Sequence, residues 1–261
     1  MYIDTHAHLN YDNKYGDLNL LLGEMHSAGV HEAVIIGWDF ASSNRAKELA
    51  CEHQELYFAA GIHPSDTAKA KAEDWRNLPA LLSHEKAVAV GETGLDYHYD
   101  ETNKKEQKRA FAWHLELARD FKLPVIIHSR DAAEDTLALL KQNREKLSFG
   151  GVMHCFSGSA ETAKEYLKLG LYISFAGPVT FKNARKLDEV ARIIPSDRIL
   201  SETDCPYLAP EPYRGSLNTP KNIPFIVQRL AEIRNESVDK IAQNIYNNAH
   251  ALFYKMKKDK I

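Results

Sequence analysis

Short apolar runs recur along this chain, and nearly every one ends in a His, Glu or Asp. Met1–Asp4 leads into Thr5-His6-Ala7-His8, Tyr57–Gly61 into Ile62-His63-Pro64, and Ala87–Val90 into Gly91-Glu92. Pro124–Ile127 ends in His128, Gly151–Met153 in His154, and Ile199–Ser201 in Glu202-Thr203-Asp204. His6 and His8 stand two apart. Alternate side chains of a strand point to the same side, so both imidazoles can turn toward one ion. A lone pair of this kind is weak evidence. It gains force because Glu92, His128, His154 and Asp204 also close apolar runs, whereas His26, His53, His84, His114 and His250 are scattered over other segments. The donors His6, His8, Glu92, His128, His154 and Asp204 exceed what one tetrahedral ion takes. They suit two divalent ions that share a carboxylate, and Glu92, with its two oxygens, is the natural bridge. The fourth run end has no lysine, so a carbamylated lysine is not available as a bridge. His/carboxylate sets accept zinc, manganese, iron or cobalt readily and magnesium less so. The chemistry these residues suit is metal-assisted hydrolysis.

Donors scattered over the chain meet only if the runs that carry them are parallel strands opening at one mouth. The stretches between the runs have helical period: Asp17–Ala28, Ala41–His53, Asp74–His84, Thr102–Phe121, Ala160–Leu169 and Ala184–Ile194. Asp131-Ala132-Ala133-Glu134 reads as a capping box opening a further helix that runs through Gln142. His31–Ile36 and Leu171–Phe175 supply the second and seventh strands, and Asn222–Arg234 and Val238–Tyr254 are helices that close the chain. Eight strands alternating with helices over 261 residues predict a single (β/α)8 barrel, one domain over residues 1–261, with an extra C-terminal helix. An open doubly wound sheet is the alternative, but it spreads the strand ends along a crevice and explains their ligand types less well. Pro206–Pro224, directly after the eighth strand, is a loop.

Composition narrows the setting. Apolar residues make up 44% of the chain and charged residues 26%, enough to bury a core. A net charge of −3 gives no global basic field, so any nucleic-acid contact must be local. Cys51, Cys155 and Cys205 are too few and too scattered for a disulfide framework, which fits a reducing compartment. No signal-peptide pattern is visible, and no apolar run approaches the roughly 18–20 residues of a membrane span. A cytoplasmic protein, monomeric and without membrane attachment, is expected. Cys155 and Cys205 each follow a donor directly, and strand alternation is expected to turn them away as buried thiols. Glu202 either orients a donor, helps hold an ion, or is ordinary barrel lining. His63 is expected to contact substrate.

Several of these segments together resemble the TatD-like deoxyribonucleases: Asp4-Thr5-His6-Ala7-His8-Leu9, Gly61-Ile62-His63-Pro64, Gly91-Glu92-Thr93-Gly94-Leu95-Asp96-Tyr97, His128-Ser129-Arg130, His154-Cys155-Phe156-Ser157-Gly158 and Glu202-Thr203-Asp204-Cys205-Pro206-Tyr207-Leu208. Order and spacing match over essentially the whole chain. The resemblance implies an amidohydrolase-type barrel and a divalent-metal-dependent nuclease, often described as a 3′–5′ exonuclease on single-stranded DNA. It also implies that one ion takes His6, His8 and Asp204 and the second takes His128 and His154, with Glu92 shared. The loop from Tyr213 to Pro220 departs from the family pattern R-G-K-x-N-x-P, with Ser216 and Thr219 in place of charged or larger polar residues. Substrate preference is open at that loop.

Phosphodiester hydrolysis needs the phosphate held, a water activated and the leaving oxygen stabilised, which two divalent ions can do. Asp204 can accept the water's proton while it ligates, and Glu92 acts with it. Arg130 and Arg214 follow strand ends and can reach flanking phosphates. Tyr97, Tyr99, Phe156, Phe181, Tyr207 and Tyr213 either stack splayed bases or pack loops. Lys182, Arg185 and Lys186 form a basic cluster that either attracts backbone or is a solvated helix face. DNA, chiefly single strands or frayed ends, is the expected partner. Hydrolysis of a small amide, lactone or nucleobase by the same barrel class competes with this reading, and so does a silent binding barrel.

Overall fold

The computed structural model describes residues 1–11, 13–98 and 103–256. Its strands are β1 (Tyr2–Ala7), β2 (Val30–Ile36), β3 (Leu56–Ala60), β4 (Ala87–Asp96), β5 (Val125–Arg130), β6 (Gly151–Met153), β7 (Tyr172–Phe175) and β8 (Ile199–Ser201). They pair in parallel in sequence order. The last strand closes on the first: Ala7 bridges Cys205 in parallel register. The His8 N–H donates to the Cys205 carbonyl at 2.9 Å, and the Asp204 N–H to that of His6 at 2.9 Å. The fold is therefore the expected (β/α)8 barrel. Its strands are continuous apolar runs because both faces are covered, by the barrel interior and by the outer helices.

Those helices are α1 (Leu18–Ser27), α2 (Phe40–Glu52), α3 (Ala72–Leu82), α4 (Lys104–Asp120), α5 (Ala133–Gln142), α6 (Ala160–Lys168), α7 (Arg185–Ile193), α8 (Ile223–Arg234) and α9 (Val238–Leu252), the last being the extra C-terminal helix. Local chemistry sets their ends. Asp17, Asp39, Ser159 and Ser237 accept backbone N–H groups at the starts of α1, α2, α6 and α9. Pro195 follows α7 and stops it. No described helix is long and apolar enough to cross a membrane.

The strands and one cap differ from expectation. Strand β1 runs on to Ala7, so His6 lies inside it, and β4 continues through Glu92 to Asp96. The predicted capping box at Asp131 does not form: α5 starts without a side-chain cap. Asp131 has φ +52, and its carboxylate accepts from His98 Nδ1 at 2.9 Å, so it is turned away from the helix. Thr102, the expected start of the longest helix, lies outside the described residues.

Two glycines let the strands close under the site. A Cβ on Gly61 would stand 2.6 Å from the Gly91 carbonyl carbon. One on Gly91, whose φ is +143, would stand 2.7 Å from the Ile126 carbonyl oxygen. Only glycine permits this approach of β3, β4 and β5, which carries Glu92 into the barrel mouth.

Candidate metal centre

The C-terminal mouth of the barrel opens into a cavity of about 780 Å³, lined among others by His8, His63, Glu92, His128, His154 and Asp204. Glu92 lies at its floor, 4% exposed, its N–H donating to the Gly37 carbonyl at 3.1 Å. Its two oxygens face different partners. Oε2 is 3.4 Å from His6 Nε2 and 3.9 Å from His8 Nε2. Oε1 is 2.7 Å from His154 Nε2, 2.9 Å from His128 Nδ1 and 3.6 Å from His63 Nε2.

Asp204 completes the first group, with Oδ1 3.6 Å from His6 Nε2 and 3.4 Å from His8 Nε2. His6 Nε2 and His8 Nε2 are 3.3 Å apart. Donors about 2.0–2.1 Å from one ion, placed at the corners of a tetrahedron, stand about 3.4 Å from each other, so these spacings fit a shared cation. The second group, on the other oxygen of Glu92, is tighter, with His128 Nδ1 and His154 Nε2 3.2 Å apart. Imidazole lone pairs this close need a proton or a cation between them. The buried clusters are thus able to bind metal.

Neighbouring groups set the tautomers. His8 Nδ1 donates to the Ile36 carbonyl at 3.0 Å, which leaves Nε2 facing the cluster. His154 Nδ1 donates to Glu202 Oε1 at 3.2 Å, and the same oxygen accepts the Cys155 N–H at 2.6 Å. Glu202 therefore orients the His154 ring. Asp96 does the same for His128, whose Nε2 lies 3.0 Å from Asp96 Oδ2. Asp4, fully buried, clamps β1 to the end of β8: it accepts the His6 N–H at 3.2 Å, the Thr203 N–H at 3.0 Å and the Thr203 hydroxyl at 2.5 Å. A carboxylate behind an imidazole fixes the ring and raises its basicity toward a metal.

Charge follows this geometry. Burial pushes the Glu92 carboxyl up, but the charge of His154 and the hydrogen bonds from His128 and His154 outweigh it and hold the group well below the usual range. Asp204 is likewise lowered: burial raises it, and the hydrogen bond from His8 and the charge of His6 more than compensate. Burial and the neighbouring His128 push His63 down to about 3, so its imidazole is neutral. Burial raises Asp4 to about 7 despite its bonds to Thr203 and His6.

All the expected donors are brought together. His63 stands closer to Glu92 than a purely substrate-facing role requires, and with Glu92 and His128 it forms a third donor group. Arg130, the last residue of β5, lines the cavity, whereas Arg214 lies outside it with its guanidinium 4.2 Å from the centre of the Phe181 ring. Cys205 is fully buried as expected, but Cys155 is not turned away. At φ +41 it leaves the strand alternation and lines the cavity. Asp204, at φ +54, also leaves the alternation, and its carboxylate faces His6 and His8. Of the aromatic residues singled out after strand ends, Tyr207 lines the cavity. Tyr97 and Phe156 are buried, Tyr213 packs on Phe225, and Tyr99 lies outside the described residues. Lys182, Arg185 and Lys186 are exposed at the start of α7. Asp4, Asp96, Tyr11 and Trp38 were not expected at the site. For Asp4 a signal existed, because it precedes His6 by two in a strand.

A parallel eight-stranded barrel with a buried His/carboxylate cluster at its C-terminal mouth is the arrangement of a metal-dependent hydrolase. The chain belongs to the TatD related DNase family, whose model matches residues 3–254. It is 44% identical over 253 residues to the uncharacterized metal-dependent hydrolase YabD of Bacillus subtilis, covering 97% of this chain and 99% of that one. It is 38% identical over 256 residues to the uncharacterized metal-dependent hydrolase YcfH of Escherichia coli K12, covering 97% and 95%. Among solved structures, YjjV, a TatD homologue from Escherichia coli K12, superposes with a TM-score of 0.92 at 33% identity, covering 97% of this chain and 98% of that one.

Proposed function

We propose that this protein is a deoxyribonuclease that hydrolyses phosphodiester bonds at single-stranded or frayed ends, with 3′–5′ polarity, as one catalytic unit spanning residues 1–261. The observation that carries the reading is the division of Glu92. One oxygen faces His6 and His8 and the other faces His128 and His154. This suits two divalent ions, manganese, zinc or magnesium, one on His6, His8 and Asp204 and one on His128 and His154, with Glu92 shared. Ions held there would supply Lewis acidity toward a phosphoryl oxygen and make the attacking water more acidic.

The chain's own residues do the rest. Asp204, kept ionised beside His8, takes the proton of the attacking water at its carboxylate. Glu92 stays ionised and balances the charge at the floor. Arg130 meets a flanking phosphate at the mouth, and neutral His63 donates or accepts a hydrogen bond at the substrate. A cavity of about 780 Å³ has room for a nucleotide unit or two. An intact duplex keeps its phosphodiesters away from buried donors, so ends and single strands are preferred. The protein acts as a monomer in the cytoplasm. Incubation of metal-reconstituted protein with end-labelled single-stranded DNA tests the reading: shortening from the 3′ end is expected. Intact DNA together with turnover of amide or lactone substrates would replace the nuclease with another hydrolase of this barrel class.

A further inference from the structure

The proposed chemistry leaves one wall of the cavity without a task. Beside His8 that wall is aromatic. Trp38 follows β2, and its backbone is fixed at both ends: its N–H donates to Ser42 Oγ at 2.9 Å, and its carbonyl accepts the His63 N–H at 2.8 Å. Its ring stands edge-on to His8, centroids 5.4 Å apart. Tyr11 stacks on it at 5.2 Å with the planes 28° apart, and the Tyr11 N–H is bonded to the His8 carbonyl at 3.2 Å. Tyr207 is 51% exposed. All three line the cavity.

The same cavity is also lined by Ser65, Asp66, Ser129 and Arg130. The cavity therefore combines metal-type donors at its floor with flat rings and hydrogen-bonding groups in its walls. Packing alone does not account for the aromatic side. Tyr97 and Phe156, which also follow strand ends, are buried at 8% and 7% exposure, whereas Trp38 and Tyr11 are half-buried and Tyr207 is open. Because the Trp38 backbone is already ordered, the ring loses little freedom when a second ring stacks on it.

We propose that Trp38, Tyr11 and Tyr207 form a stacking subsite for the base of the nucleotide whose phosphate reaches the donor cluster. The subsite rests on the phosphodiesterase reading. It adds that the ligand is a purine or pyrimidine joined through one sugar to the reacting phosphate, held on the β1–β2–β8 side, while the rest of the strand leaves past Arg130. Stacking tolerates any base, since every base has a π-face.

The test is calorimetric binding of dAMP and of 2-deoxyribose 5-phosphate to the metal-loaded full-length protein. Removal of one stacking partner costs about fivefold to a hundredfold in comparable sites, so dAMP should bind at least about fivefold tighter than the sugar phosphate. Trp38→Leu and Tyr11→Leu should erase most of that preference and leave the sugar phosphate affinity in place. Equal binding of the two ligands by the wild type overturns the subsite without any variant, so a misfolded Trp38→Leu protein does not rescue it. An undiminished preference in folded Trp38→Leu and Tyr11→Leu overturns it as well. Cleavage is read separately. Preferential dAMP binding through Trp38 with single-stranded DNA left intact keeps the subsite and removes the nuclease. DNA degradation with no base preference in binding does the reverse.

Discussion

Glu92 sits where two sets of imidazoles meet, and the proposed chemistry depends on both of its oxygens. Metal content should separate the two sets. His6→Ala combined with His8→Ala should remove about one equivalent of divalent ion by elemental analysis, and His128→Ala should weaken the other; full occupancy in all of them would show the assignment to be wrong. Asp204→Asn keeps an oxygen near His8 but cannot take a proton. Turnover on single-stranded DNA should fall by about 100-fold or more while the melting temperature holds, and wild-type turnover would remove Asp204 from the mechanism. Glu202→Gln keeps the shape behind His154 and removes the charge, so metal affinity should drop about tenfold or more in a chelator competition. At this scale the sequence was legible for the donors, because a His or carboxylate at a strand end is directed by the strand itself. It was silent on Asp96, whose role depends on which ring of a neighbouring strand lies behind it. It was also silent on Trp38 and Tyr11, which carry no metal-type chemistry. It misjudged Cys155, because strand alternation ends where the backbone turns to positive φ.

Elements are held by basic side chains that cap helix ends. Lys86 Nζ donates to the carbonyls of Ala50, His53, Gln54 and Leu56, gathering the end of α2 onto β3. Arg234 donates to the carbonyls of Ala191 and Ile194 at the end of α7. Cationic donors at a helix C-terminus meet both its free carbonyls and its dipole. Lys86→Met should lower stability by about 1–3 kcal/mol in denaturant melts with metal content unchanged; an unaltered midpoint would make the contacts incidental. His114, in α4, accepts the Ile62 N–H at 3.0 Å and donates to the Ala110 carbonyl at 2.7 Å, which ties α4 to the strand end that carries His63. Burial lowers it to about 4, whereas an unfolded His titrates near 6.5. Above about pH 6.5 both states are neutral and the stability is fully present. Between about 6.5 and 4 the unfolded chain takes up a proton that the folded one refuses, so stability falls as the pH falls. Between about pH 7 and pH 5 the loss from this group is about 2 kcal/mol, and His114→Gln should remove that share of the pH dependence. An identical slope in the variant would sink the assignment. The helical and strand periods were readable throughout, with ends shifted by a few residues. The larger errors came from local chemistry with two outlets. Gly91 reads as a strand end, but β4 passes through it because the Gly61–Gly91 contact needs no Cβ. Asp131 reads as a cap, but His98 on a neighbouring loop claims its carboxylate.

The whole molecule carries a net charge of −3, so its long-range field does not draw in a polyanion. Under the proposed function, capture of DNA comes from the mouth of the barrel, where Arg130 lines the cavity and any bound ions would add positive charge. Arg214 stands outside that cavity against Phe181, and Lys182, Arg185 and Lys186 are exposed before and at the start of α7. Each phosphate neutralised releases counterions, and the logarithm of affinity falls with the logarithm of salt in proportion to the contacts made, with a slope of about −0.7 per phosphate for a single strand. A mouth that holds a few phosphates should give a slope of about −1 to −3 for a short oligonucleotide. Arg130→Gln should make it shallower by nearly one contact and weaken binding, whereas Arg214→Gln should weaken binding modestly, with metal content unchanged in both. Oligonucleotide binding measured across a salt series reads all of these at once. A slope several times steeper, a larger loss in Arg214→Gln than in Arg130→Gln, or equal cleavage of internal duplex sites and single strands would place the docking surface on the α7 side of the barrel instead.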